Sequence, residues 1–261
     1  MNAFHQLFYS LYSPKIVAMF RFQGIGKTIS YLFLLTFLSL LPTMFFITQT
    51  VVNGYAQSKT ILLTEIRDFS IQDDSLYSSM NEPLITSRND TTFIFDSTGS
   101  ITTTDTNTYR QAIGFLQDGL FITTNYSTQT YSYSLLQMNN LTKEEFFGIF
   151  DQAKQLLIIL IPLALVLLYI VASGVKFIEV SLLAIVGLGL AKLLNRPLTY
   201  KHVWVMWAYS STLMTLTFTL TDALHIMVPY SFFSHAVVTL LFLFFAMKRV
   251  PIRKQPTIKK S

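Results

Sequence analysis

Long stretches without a charged residue constrain this chain more than any other feature of its sequence. Four of them, residues 29–51, 155–175, 203–221 and 229–247, hold between 19 and 23 mostly apolar residues. A helix that crosses the roughly 30 Å hydrocarbon core of a bilayer needs roughly 17–25 such residues. A fifth run, 180–191, has 12 residues, which extend only about 18 Å as a helix and favour a re-entrant or interfacial element. The sequence therefore predicts a polytopic α-helical membrane protein with four full spans and one short membrane-embedded helix.

The composition supports a membrane protein and argues against several kinds of functional site. Charged residues make up 13% of the chain, against about 25% in soluble domains. There is no cysteine, so neither disulfides nor cysteine metal sites are expected. Gly24, Gly26, Lys27 and Thr28 resemble the end of a phosphate-binding loop, but the first glycine of that motif would fall at Arg21. We therefore expect no nucleotide cofactor, and we interpret the basic pI as membrane orientation instead of nucleic-acid binding.

The charges are distributed very unevenly along the chain. Residues 51–153 contain twelve acidic and five basic residues, a net charge of −7, whereas basic residues flank the apolar runs elsewhere. Because lysine and arginine are retained on the cytoplasmic side, this pattern predicts that both termini face the cytoplasm. The predicted order is a cytoplasmic segment (1–28), the first span (29–51), an outer domain (52–153), a helical membrane bundle (154–247) and a basic cytoplasmic tail (248–261). If 180–191 also crossed the bilayer, the tail would face outward, so four spans are preferred over five.

The N-terminal segment has an amphipathic pattern. Phe4, Leu7, Phe8, Leu11 and Tyr12 recur at helical spacing. A helix of this kind beside a membrane lies in the interface or packs against a cytoplasmic loop, and the sequence leaves both alternatives open.

The sequence predicts a small α+β fold for the outer domain. Residues 91–95 predict a strand followed by a turn, and residues 120–136, rich in β-branched and aromatic side chains, predict one or two strands. Residues 108–118 carry apolar side chains at helical spacing and predict a helix. Thr142 and Glu145 fit a capping box at the start of a helix that runs into the second span.

Enzymatic chemistry is not expected. No histidine occurs in residues 51–153, so a Ser-His-Asp relay inside the outer domain is excluded. The scattered aspartates there are typical of a solvated surface. No HExxH-like spacing indicates a metal site either.

A polar stripe in the third predicted span is the best candidate site. Ser211, Thr215 and Asp222 fall near one helical face, with His225 about a turn further on and His235 in the last span. Ionisable residues at membrane depth indicate a proton relay or a set of metal ligands. The alternative is that Asp222 lies at the membrane surface, where water or headgroups solvate it.

Three blocks of sequence resemble a known family. "LYSPKIVAMFRFQGIGKTISYLFLL", "FIFDSTG" and "LNRPLTYKHVWVMWAYSSTL" are similar to Gram-positive membrane proteins grouped as domain of unknown function 1189. Some members are described as maltodextrin-utilisation proteins from their gene context. The resemblance implies a cell-membrane location and favours five spans over four. It implies no reaction and no catalytic residues.

Two functional hypotheses follow. The first is a non-enzymatic accessory or sensing protein whose outer domain binds a ligand or a partner such as a sugar importer, with a link to maltodextrin uptake. The second is a small transporter or channel that uses the polar stripe.

Overall fold

The computed structural model describes residues 2–88, 91–138, 140–226, 228 and 231–252. The chain divides into two compact units. Met1–Thr48 and Pro162–Ser261 form the helical unit, and Gln49–Ile161 forms the sheet unit. Most of the basic tail (248–261) lies outside the described residues.

The helices are α1 (Ala3–Tyr12), α2 (Pro14–Phe20), α3 (Ile25–Thr64), α4 (Thr103–Thr106), α5 (Lys143–Leu193), α6 (Tyr200–Ser210), α7 (Thr212–Ala223) and α8 (Ser231–Lys248). The strands are β1 (Phe69–Gln72), β2 (Ser75–Ser78), β3 (Leu84–Arg88), β4 (Thr91–Phe95), β5 (Gln111–Leu116), β6 (Gly119–Thr124), β7 (Ser127–Tyr131) and β8 (Leu141–Thr142).

Two of the described helices, α3 and α5, are long and apolar enough to cross a membrane. Their 40 and 51 residues extend about 60 and 76 Å, roughly twice the hydrocarbon thickness, so only part of each can lie in a bilayer. Little of the most apolar window of either helix is buried within the protein, unlike the core helix of a soluble fold. These two helices associate the chain with membranes.

The prediction of four spans with a short embedded helix is wrong, and so is the five-span alternative. Residues 180–191 continue α5 without a break from 155–175, so they form no separate element. Residues 203–221 are divided between α6 and α7, which extend only about 16 and 18 Å. Helix α8 has 18 residues and extends about 27 Å; within the described residues it is classed with the shorter apolar helices and is not one of the two candidate spans.

The break between α6 and α7 is confined to Ser211, where the backbone keeps helical hydrogen bonds to Trp207 and Thr215 and two hydroxyls bond to carbonyls of α6. The Ser211 hydroxyl donates to the Ala208 carbonyl at 3.0 Å, and the Thr212 hydroxyl donates to the Tyr209 carbonyl at 2.8 Å. Hydroxyls that bond to carbonyls three residues back compete with the helical pattern and bend or interrupt helices.

The core of the helical unit is built around α6. Its residues from Val203 to Ser210 are all buried, as expected for a helix surrounded by others. Helix α5 approaches α6 closely at Gly187, because a Cβ there would lie 2.7 Å from Val203 Cγ1. A Cβ at Gly189 would meet no atom within 4 Å, so the close approach depends on Gly187 and not on the neighbouring glycine.

Helix α1 is packed with its polar side inward. Gln6 and Ser10 are buried, while Phe4, Phe8 and Tyr12 are 64%, 60% and 57% exposed. The Tyr209 hydroxyl lies 3.0 Å from Gln6 Oε1. The aromatic face of α1 is thus turned away from its own unit, and interfacial placement of this face stays a prediction.

The sheet unit contains two sheets. Strands β2-β1-β8 form one, and β3-β4-β5-β6-β7 form the other, in which only β4 and β5 pair in parallel. The predicted strands at 91–95 and within 120–136 are confirmed, as is the capping box, in which Thr142 N–H and Oγ1 donate to Glu145 Oε2, each at 2.9 Å.

The helix predicted over 108–118 is wrong, because this segment supplies β5. Pairing on both sides holds β5 extended, with Ile113 opposite Phe93 and Ile122. Gly114 permits the pairing with β4, since a Cβ there would lie 1.7 Å from the Ile94 carbonyl oxygen. Neighbouring strands have overridden the helical spacing of the side chains.

Candidate functional site

A cluster of buried polar side chains lies in the helical unit, where α5, α7 and α8 meet. Lys176 and Glu179 are three residues apart on α5 and therefore share one helical face. Thr215 from α7 and His235 from α8 complete the cluster. The side chains of Lys176 and Glu179 are only 12% and 16% exposed, so the cluster removes opposite charges from solvent.

The four side chains form a closed set of polar contacts. Lys176 Nζ donates to Glu179 Oε2 at 3.1 Å and to Thr215 Oγ1 at 3.3 Å. The second Glu179 oxygen, Oε1, lies 3.1 Å from His235 Nδ1. The other ring nitrogen, Nε2, lies 3.2 Å from Thr215 Oγ1 and 3.5 Å from Lys176 Nζ. Glu179 therefore bridges the two cationic or potentially cationic residues.

This geometry defines the role of each nitrogen in the His235 ring. Nδ1 faces a carboxylate and is assigned as the protonated donor. Nε2 faces an ammonium and a hydroxyl, both donors, and is assigned as the acceptor. The imidazole therefore lies between the Glu179 carboxylate on one side and Thr215 and Lys176 on the other.

A cavity of about 390 Å³ opens beside the cluster. Helices α3, α5, α7 and α8 all contribute to its wall. The polar groups in the wall are Ser39, Thr43, Lys176, Glu179, Thr215, Thr219, Asp222 and His235. One ammonium and two carboxylates thus face a space that hydroxyls also line.

The structure brings some of the sequence-predicted site residues together and separates others. Thr215 and His235 are in contact, and Asp222 lines the cavity. Ser211 is buried at the α6–α7 break, where its hydroxyl bonds to the Ala208 carbonyl. His225 follows α7 in a left-handed conformation (φ +56°), and its ring centroid lies 4.2 Å from that of Phe46.

Sequence reasoning missed Lys176 and Glu179, because both were interpreted as charges that end apolar runs. A signal was present in the spacing. A lysine and a glutamate at i and i+3 between two apolar runs match an intrahelical ion pair, which indicates one continuous helix in place of two segments.

Thr215, His235 and Glu179 occur in the order hydroxyl, imidazole and carboxylate that acyl-transfer enzymes use. Two features oppose such chemistry here. Thr215 lies within α7 and its N–H bonds to the Ser211 carbonyl at 2.9 Å, so neighbouring helical N–H groups are not free to form an oxyanion hole. Lys176 also competes for the Thr215 hydroxyl. The arrangement suits binding better than nucleophilic attack.

No group of three potential metal ligands among histidine, aspartate and glutamate converges within the described ranges. The polar atoms of the cluster are instead directed at one another, and the Ser39 and Thr219 hydroxyls of the cavity wall donate to carbonyls of their own helices.

Comparison with known proteins places the chain in one family. A family model described as "Protein of unknown function (DUF1189)" matches residues 4–247, so the chain belongs to this family, as its resemblance predicted. No curated protein and no solved structure matches the chain.

Proposed function

We propose that this member of the DUF1189 family is a non-enzymatic, membrane-anchored sensing or accessory protein whose helical unit binds a small polar solute. The observation that carries the proposal is the Lys176–Glu179–His235 cluster beside a polar cavity. Burying ionised groups is costly, and replacing a buried ion pair by apolar residues of similar volume often leaves the stability unchanged or raises it. Ionisable groups retained in such surroundings are therefore candidates for function.

The wall of the cavity limits the class of solute. Its size of about 390 Å³ is near the lower end of small-molecule sites, which span roughly 300–1,000 Å³. Lys176 donates to a solute only in exchange for one of its contacts within the cluster, whereas Glu179 and Asp222 supply acceptors and the wall hydroxyls can accept as well. A small polyhydroxyl compound or a zwitterion complements this mixture better than a simple anion. A small sugar would fit the suggested link to maltodextrin uptake.

The membrane placement follows from α3 and α5 as two crossings. Three basic residues lie before the first crossing or at its start: Lys15, Arg21 and Lys27. Two more, Lys192 and Arg196, lie at the end of the second crossing or just after it. Residues 51–153, between the two crossings, carry a net charge of −7. The positive-inside rule then supports cytoplasmic termini, with the sheet unit outside the cell membrane.

The proposal is tested by thermal unfolding of the purified full-length protein with a panel of small sugars, polyols and zwitterions. A solute at 100 times its Kd stabilises the folded state by about 2.7 kcal/mol. We expect this shift to disappear in Lys176→Met and Thr215→Ala. Lys192→Met and Thr217→Ala are matched controls, because both residues are exposed on the same two helices and should leave the shift unchanged. Stabilisation that is equal in all four variants would contradict the proposed site.

A partner-binding role of the sheet unit is a second candidate. This unit has apolar cores of its own, one around Phe69, Phe95 and Phe115 and another around Ile94 and Phe121, so it can present a surface independently. We propose a membrane complex such as a sugar importer as the partner. Crosslinking and co-purification from native membranes test this role, and deletion of 60–140 should abolish it while leaving solute binding by the helical unit intact.

Transport through the polar stripe is less well supported. Two candidate spans in the described part of the chain are too few to enclose a path within one copy, so transport would require several copies. Asp222→Asn should then reduce solute uptake by proteoliposomes, and His225→Gln should not, because Asp222 lines the cavity and the His225 ring packs against Phe46.

A further inference from the structure

The sheet unit contains an apolar slot that the proposed function does not use. It lies between α3, α5 and the five-stranded sheet, and has a volume of about 520 Å³. A second chamber of about 250 Å³ adjoins it and shares part of its wall, including Ser58, Phe93, Ile113, Phe150 and Ala153. The volume is within the range of small-molecule sites.

The wall of the slot is mostly apolar, with Thr50, Gln57, Ser58 and Thr91 as its uncharged polar side chains apart from Tyr55. Phe93 and Ile113 project from β4 and β5, and Phe150 and Leu157 come from α5. Arg88 is the cationic side chain among the lining residues. Its guanidinium bonds to Glu65 through Nη2 at 2.7 Å, and a guanidinium carries five N–H donors, so donors remain for a second acceptor.

The same wall continues into the surface that faces lipid. Leu156, Leu157 and Leu160 line the slot and belong to the charge-free run 155–175, the apolar part of the candidate span. Leu156 and Leu160 are also exposed. An apolar chain lying against α5 can therefore pass into the slot without leaving an apolar surface.

We propose that the slot binds one acyl chain of a membrane phospholipid, with Arg88 available to the phosphate of its headgroup. The occupant is identified by two properties of the wall. Its apolar lining is continuous with the lipid-facing side of α5, and its charged residue is an arginine, the side chain that best matches phosphate geometry. The site would make the sheet unit responsive to the lipid that surrounds the protein.

Gly54 offers a way to close the slot without disturbing the fold. It lines the slot, and a Cβ at this position would meet no atom within 4 Å. Gly54→Leu should therefore place its side chain in the slot without a clash. Gly148 on α5 also has open space at its Cβ but is not part of the lining, so Gly148→Leu is the matched control.

The experiment uses the full-length protein in bilayers of phosphatidylglycerol and phosphatidylethanolamine that contain a phospholipid with a diazirine near the end of one acyl chain. After photolysis, mass spectrometry locates the crosslinked residues. Bulk lipid reaches α3 and α5 in any case, so the informative positions are Phe93 and Ile113 in the sheet. We expect both to be labelled in the unmodified protein, and Gly54→Leu to lower their labelling by about tenfold through steric exclusion.

The controls separate the slot from general lipid contact. Gly148→Leu should leave labelling of the sheet within about twofold of the unmodified protein, because it fills no part of the slot. Labelling confined to α3 and α5, or sheet labelling that persists in Gly54→Leu, would overturn the proposal. A third outcome concerns an apolar peptide that carries the same diazirine. If this peptide labels the sheet and excess phospholipid does not reduce the labelling, the slot binds a peptide, and the lipid proposal is overturned.

Discussion

Replacing Glu179 by glutamine tests whether the polar cluster acts as one ionic unit. Glu179 is the only cluster member that is anionic, and it contacts both Lys176 and His235 at 3.1 Å. Glutamine has nearly the same shape but leaves the largely buried Lys176 ammonium without its carboxylate. Removing one partner of a buried ion pair costs about 3–5 kcal/mol. Because Asp222 also lines the adjoining cavity, we expect a loss near the lower end, about 3 kcal/mol.

The double replacement Lys176→Met/Glu179→Met gives the opposite expectation. Exchanging both charges for apolar side chains of similar length is often neutral or stabilising. Thr215 and His235 each lose a partner, which costs about 1 kcal/mol per hydrogen bond. We therefore expect the double variant to lose no more than about 2 kcal/mol, less than the roughly 3 kcal/mol expected for Glu179→Gln alone.

The assay is denaturant unfolding of the purified protein in micelles, followed by tryptophan fluorescence. Both tryptophans of the chain, Trp204 and Trp207, are buried in α6, so the signal reports on the helical unit. Lys192→Met, a charge-removing change at an exposed position of α5 within the helical unit, is the control and should stay within about 0.5 kcal/mol. The reasoning is refuted if Glu179→Gln matches that control, or if the double variant loses more free energy of unfolding than Glu179→Gln does.

Three further predictions concern packing and pH. Gly187→Ala places a Cβ 2.7 Å from Val203 Cγ1 and should lower the unfolding free energy by about 1–3 kcal/mol, whereas Gly189→Ala, in open space, should raise it by up to about 1 kcal/mol; parallel unfolding curves decide this. Gly114→Ala directs a Cβ into the Ile94 carbonyl, so it should separate β4 from β5 and remove hydrogen-exchange protection from both strands, while protection in α6 remains. Burial, together with the charges of Arg21 and Lys201, lowers the pKa of His202 below its usual 6.5. The unfolded chain then binds the proton first, so stability falls as the pH drops below about 6.5 and levels off below the lowered pKa. His202→Asn should flatten this part of a Tm profile between about pH 5 and 8, and an unchanged slope would contradict the assignment.

The ends of the helices were the least predictable part of the fold. Apolar content correctly indicated helix throughout 155–175 and 180–191, but not that one helix, α5, contains both. Conversely, 203–221 has the length of a span, yet local hydroxyl-to-carbonyl bonds at Ser211 and Thr212 divide it. Hydropathy measures the cost of transferring side chains into lipid, and such bonds have almost no effect on it.

The sheet unit shows the same limit for secondary structure. Residues 91–95 were predicted as a strand because their own β-propensity and the following turn agree with the fold. Residues 108–118 were predicted as a helix because their apolar spacing fits one, yet β5 is held extended by β4 and β6. The close approach that requires Gly114 depends on the partner strand, and one sequence does not identify that partner.

The candidate site depended on the same question of where a helix ends. Lys176 and Glu179 mark a membrane boundary if the chain leaves the bilayer between 175 and 180, and they form an ion pair inside a unit if the helix continues. Which case holds is decided by His235 and Thr215, 59 and 39 residues further along the chain, because they supply the partners that make burial of the two charges tolerable. Thr215 and His235 could be suspected from sequence as polar residues in apolar helices. Lys176 and Glu179, which join them, could not be suspected in this way. A charged residue between two apolar runs is expected both at a membrane surface, beside lipid headgroups, and at a buried binding site.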